Sequence, residues 1–130
     1  MNTRWLMRAS AIYLGLIGAA ATFAPHEILK FVGSTPDPLP ALAVQLAAAA
    51  CIGIAITNWM AQGVLIGGIY ARPLVIGNFA HFLIAALALI KTSGSVPHAL
   101  PIVIGAGIHG AFAMLFAWVA FGRSLPRSEG

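Results

Sequence analysis

The sequence predicts an all-α integral membrane protein: an up-down bundle of four transmembrane helices, with residues 1–130 forming a single domain. Three observations carry that prediction. Sixty per cent of the residues are hydrophobic and only 8% are charged, against about 25% charged in an ordinary soluble domain. Mean hydropathy is +0.93. Four apolar stretches also approach the roughly 20 residues that a helix needs to cross a hydrocarbon core of about 30 Å. Seven Lys/Arg and three Asp/Glu cannot clothe a water-soluble surface. An ordinary soluble enzyme, a disordered chain and a nucleic-acid binder are therefore excluded. The pI near 10.0 comes from scattered basic residues at the edges of apolar runs, with no stripe of the kind that phosphate binding needs.

The first span is expected over 5–24, from Trp5 to Ala24. The second covers 41–60, with Pro40 just before it in a favourable first-turn position. The third covers 72–90, with Pro73 in its first turn, and the fourth covers 98–121, with Pro101 in its first turn. A proline costs little there because the first N–H groups lack partners anyway. No strand alternation of the barrel kind is visible.

The connections carry the breakers. Pro25–Val32 reads as a short interfacial helix ended by Gly33. Leu29, Phe31 and Val32 would rest on lipid, with His26, Glu27 and Lys30 among the headgroups. Ser34–Pro40 reads as extended. Residues 61–71 are apolar enough for a re-entrant or interfacial segment. Lys91–Pro97 reads as a turn, and residues 122–130 as a flexible tail.

Charge sets the expected orientation. With four spans, Arg4, Arg8, Arg72, Arg123 and Arg127 share one side, and Lys30 and Lys91 lie on the other. The positive-inside rule then puts both termini in the cytoplasm of a bacterial inner membrane. Trp5, Trp59 and Trp118 fall near the same face, as an aromatic belt does. A competing reading takes Arg4, Arg8 and the Ala19–Ala21 run as a cleavable signal peptide. The length of the apolar stretch from Trp5 favours a retained helix.

No Asp or Glu falls in a predicted span. This weakens ion-driven transport, because such proteins commonly hold a carboxylate at the midplane. No catalytic constellation is visible, so the reading leans away from an enzyme. The polarity left at depth is Tyr13, Cys51, His81 and His109, with Asn78 three residues before His81. Each histidine lies on a small-residue stripe: Gly77, His81, Ala85 and Gly105, His109, Ala113. Positions i and i+4 stack on one helix face, and small residues let membrane helices approach closely. Spans three and four should be antiparallel neighbours with the two stripes facing.

Several uses of this cluster stay open. The histidines can be interhelical glue, bonded to each other or to Tyr13. They can be the two axial ligands of a haem, although no Arg or Lys lies at that depth to pair its propionates. With Cys51 they can be a metal site, short of ligands for zinc. Asn78, His81 or Tyr13 can also bond a quinone or other lipophilic ligand. The leading functional expectation is a non-enzymatic small membrane protein. It would bind a lipophilic ligand, or serve as an accessory subunit of a membrane complex or as a homo-oligomer. A haem-binding electron-transfer protein and a small oligomeric transporter are the alternatives. Among the remaining polar residues, His26 and His98 read as solvated at the interface. Gln45, Asn58 and Gln62 lie near the ends of span two, where polarity is cheap. Gly15, Gly18, Gly53, Gly105 and Gly107 read as close-packing positions.

The phrases FAPHEILKFVG after span one, NWMA at the end of span two and ARPLVIGNFAH entering span three resemble small DoxX-like bacterial membrane proteins. The resemblance implies a four-helix up-down bundle and no defined activity. Arg72, Asn78 and Phe79 also loosely resemble the Arg…Asn-Phe-x-Glu motif of membrane glutathione-transferase-like proteins. His81 stands where that motif has its glutamate, so glutathione chemistry is not carried over. The sterol-isomerase-like four-helix family needs buried carboxylates, which these spans lack.

Overall fold

Prolines and one glycine set where the helices start and stop. A computed structural model describes residues 3–63 and 71–122. It contains α1 (Thr3–Phe23), α2 (Pro25–Phe31), α3 (Pro38–Met60), α4 (Ala71–Ser93) and α5 (Ala99–Phe121), with a 3₁₀ turn over Ala61–Gly63. Four of these, α1, α4, α5 and α3 with its 3₁₀ turn, are long and apolar enough to cross a membrane. The chain is a multi-pass membrane protein with a four-helix bundle.

The helix ends differ from the sequence expectation in informative places. Pro38–Pro40 is helical, not extended: Pro38 occupies the first helical position after Asp37, where its fixed φ suits the helix. Helix α4 runs on through Lys91–Ser93, and the Ser93 hydroxyl donates to the Ile90 carbonyl at 2.7 Å. Gly33 has φ +79°, a conformation that L side chains resist, and it ends the turn after α2. Helix α2 folds back on α1 and α3, so Leu29 is buried while Phe31 is 66% exposed. Only the second of those two is available to rest on lipid. Most of the expected 61–71 segment (64–70) and of the 122–130 tail (123–130) lies outside the described residues.

The four long helices associate as two close pairs, α1 with α3 and α4 with α5. Within the first pair, Arg8 meets Gln62, Ser10 meets Asn58, and Gly18 faces Ile52. The falling numbers on α3 show that the helices run antiparallel. Within the second pair, Phe79 lies 5.9 Å from Phe121 and Phe82 lies 5.7 Å from Phe116 between ring centroids. Gly105 faces Leu89, so this pair is antiparallel too. Trp5, Trp59 and Trp118 are all exposed at the end of the bundle where α1 begins and α3 and α5 finish.

The shared core is Leu6, Met7, Leu14, Ala55, Val75, Phe82, Ala113, Phe116 and Val119. Large apolar side chains such as Leu16, Leu46, Leu83 and Met114 point outward, as they can in a solvent of lipid tails. There the helices gain little from hiding leucine and associate through van der Waals packing and hydrogen bonds. The five glycines divide accordingly. A Cβ at Gly18 would lie 2.6 Å from Ile52 Cγ1 and 3.1 Å from the Ala48 carbonyl oxygen, while Gly15 and Gly105 have ordinary contacts. Gly53 and Gly107 meet nothing within 4 Å among the described residues, so they are not packing positions there.

Candidate functional site

The buried polarity forms two layers where the helix pairs meet. Tyr13, His81 and His109 lie near the centres of α1, α4 and α5. The Tyr13 hydroxyl is 3.0 Å from His109 Nδ1, and that same nitrogen is 2.9 Å from the Gly105 carbonyl oxygen. A neutral ring nitrogen serves one of these in each tautomer. Protonated, Nδ1 donates to the Gly105 carbonyl. Unprotonated, it accepts the Tyr13 proton. His109 is 8% exposed and lies on the inward stripe of α5, with Ile102, Ala106, Ala113 and Phe116.

On α4 the inward stripe is not the one expected. It runs through Ala71, Val75, Asn78, Phe82 and Ala86, one position on from His81. Gly77 faces open space. Phe82 takes the inward position because its ring packs on Phe112 at 4.8 Å and on Phe116 at 5.7 Å, a contact that no small residue supplies. His81 is displaced to the edge of the stripe, yet its ring centroid is still 6.3 Å from that of His109. Its Nε2 is buried and has no hydrogen-bond partner. Cys51 is half-buried and packs against the same core. Among the described residues no group of three or more His, Cys, Asp or Glu is placed to hold a metal ion, so Cys51 does not join the two histidines in one ligand set.

Sequence reasoning missed the second layer. Asn58 and Asn78 are 0% and 2% exposed and exchange two hydrogen bonds of 2.7 Å. The remaining Asn58 N–H donates to Ser10 Oγ at 3.0 Å, and the remaining Asn78 N–H donates to the Leu74 carbonyl at 3.0 Å. Ser10 in turn donates to the Met7 carbonyl at 3.0 Å. Every amide hydrogen is therefore used. The position of Asn58 near a helix end suggested a wet site. Its spacing of three from buried Ala55, itself seven from Ala48, is the signal that places it on the packed face instead. Below this layer Arg8 donates to Gln62 and stands 5.6 Å from the Trp5 ring, while Gln45, His26 and His98 are exposed.

Comparison with protein-family models, curated proteins and solved structures finds no match.

The chemistry must therefore be read from the geometry. The described carboxylates, Glu27 on α2 and Asp37 at the start of α3, make no hydrogen bond to Tyr13 or His109, and Asp37 accepts instead from the Thr35 hydroxyl. The Tyr13–His109 pair thus has no acid to orient it. A haem held by His81 and His109 would need its macrocycle inserted between α4 and α5. Those helices are in direct contact through Phe82, Phe112 and Phe116, so the residues present do not fit that group. What the site does offer is one imidazole with an unused buried nitrogen, beside aromatic rings.

Proposed function

We propose that this chain is a small bacterial inner-membrane protein that holds a lipophilic ligand beside His81, between its two helix pairs. The observation that carries the reading is the buried, unpartnered His81 Nε2. A polar nitrogen without a partner in an apolar interior costs about 1–3 kcal/mol, and a ligand oxygen would recover that cost. The neighbouring polar groups have partners of their own: His109 Nδ1 faces Tyr13 or the Gly105 carbonyl according to tautomer, and the Asn58–Asn78 pair is bonded internally and to Ser10 and the Leu74 carbonyl. His81 is thus the group left to address something from outside. A protein partner presenting a polar group to His81, as in an accessory subunit or a second copy, satisfies the same nitrogen. The bilayer is the surrounding partner in either case.

Cytoplasmic termini are part of this reading, supported by the five arginines on one side against two lysines on the other. So is membership of the DoxX-like group, supported by the three phrases that resemble it. The test is extraction. Protein purified from its native membrane should carry a stoichiometric lipophilic compound or a co-purifying subunit, and His81→Phe should lose it. Wild-type protein that is stable, monomeric and free of both would overturn the reading. No Soret band is expected after haem-replete expression.

A further inference from the structure

We propose that the cleft between α2 and the start of α5 binds the headgroup of an amino-phospholipid, its phosphate at Lys30 and its primary ammonium at Glu27. The cleft has a volume of about 600 Å³ and is lined by Glu27, Lys30, Phe31, His98 and Pro101. It is shallow and wide open, so an occupant there keeps much of its surface in contact with the surroundings. It is separate from the His81 region and does not depend on any ligand there.

The two charges are the reason for a zwitterionic occupant. Glu27 and Lys30 are three residues apart on one helix, a spacing at which opposite charges ordinarily pair. Here they form no ion pair with each other or with any other described residue, and both line the cleft. A ligand carrying one negative and one positive group satisfies both at once. A purely anionic headgroup would leave its charge against Glu27. The exposed His98 imidazole on the opposite wall can donate a hydrogen bond to a phosphate oxygen.

The apolar edge of the cleft selects a lipid over a free zwitterion. Phe31 is 66% exposed beside Lys30, and Pro101 opens the first turn of a membrane-spanning helix opposite it. A charged lip above an aromatic side chain is the profile of a headgroup-to-acyl boundary. The acyl chains would then run past Phe31 and Pro101. Gly33 lets the two walls approach: a Cβ there would lie 3.2 Å from Pro97, so the loop after α2 sits directly on the loop before α5.

The test uses the full chain in detergent micelles doped with phosphatidylethanolamine and phosphatidylcholine of identical chains, with retained lipid counted by native mass spectrometry. Wild type should retain the ethanolamine lipid about tenfold over the choline lipid, the effect of one charge-assisted hydrogen bond. N-monomethyl and N,N-dimethyl lipids should fall between them, an arm that needs no variant. Glu27→Gln should bring the preference close to unity, and Lys30→Gln should lower retention of both lipids. Equal retention by wild type overturns the proposal, as does a preference that survives Glu27→Gln. Stronger retention of phosphatidylglycerol would mean a basic surface and also overturns it. Displacement of the lipid by soluble phosphoethanolamine at equal concentration would show that the chains add nothing, and would overturn the choice of a lipid.

Discussion

Asn58 on α3 and Asn78 on α4 face each other as a reciprocal amide pair, each donating to the other's carbonyl oxygen at 2.7 Å. Tyr13 on His109 adds a further side-chain hydrogen bond between the two close helix pairs. In lipid a bond of this kind averages about 0.6 kcal/mol, but stranding a buried amide costs more. Asn58→Leu or Asn78→Leu should each destabilise the bundle by about 1–3 kcal/mol in a detergent unfolding titration. The double variant should cost less than the sum of the two, since neither amide is then left without a partner. Strict additivity would mean that the pair is not formed.

The bond from Tyr13 to His109 predicts a spectroscopic change. Tyr13→Phe removes the hydroxyl but keeps the ring contacts with Phe112 and His109. It should shift the His109 imidazole ¹⁵N signals and leave those of His81 nearly in place, with a stability loss of about 0.5–1.5 kcal/mol. An unchanged His109 spectrum would show that the hydroxyl bonds elsewhere.

Two glycines in the first helix pair should behave in opposite ways. A Cβ at Gly18 would lie 2.6 Å from Ile52 and 3.1 Å from the Ala48 backbone, so Gly18→Ala should push α1 off α3 at a cost of about 1–3 kcal/mol. Gly53 meets nothing within 4 Å, and Gly53→Ala should stabilise α3 by about 0.5–1 kcal/mol through helix propensity. Thermal melts in one detergent compare them directly. Equal effects would contradict this packing of α1 on α3.

The 6.3 Å spacing of the His81 and His109 rings predicts crosslinking. Cysteines substituted at both positions in a Cys51→Ser background should join through a short bifunctional thiol reagent. A pair at Gly77 and His109 should react far more slowly, because Gly77 faces away from the chain's own packing. Equal rates would mean that α4 is rotated from the orientation described.

Orientation is checked by reporter fusion. A phosphatase that is active only outside the cytoplasm should be silent when fused after Gly130 and active when inserted in the Ser34–Asp37 connection. The reverse pattern would invert the proposed topology.

The sequence by itself determined the class of molecule and the number of spanning helices. A chain with so few charges and four long apolar runs has one solvent in which its backbone can be satisfied, and helices satisfy it internally. Proline placement also determined the starts of α2 and α5 to within a residue. The inward face of each helix was a different matter. The small-residue stripe through Gly77, His81 and Ala85 was legible, but so was the stripe through Asn78, Phe82 and Ala86. Helices in lipid lack the strong amphipathic asymmetry that separates such stripes in water. Only the tertiary structure decided between them, because stacking Phe82 on Phe112 and Phe116 requires both helices at once. For the same reason Asn58 looked like a cheap polar residue at a helix end until α4 brought Asn78 against it. His81, which looked like half of a symmetric pair, became the one histidine with a buried nitrogen to spare.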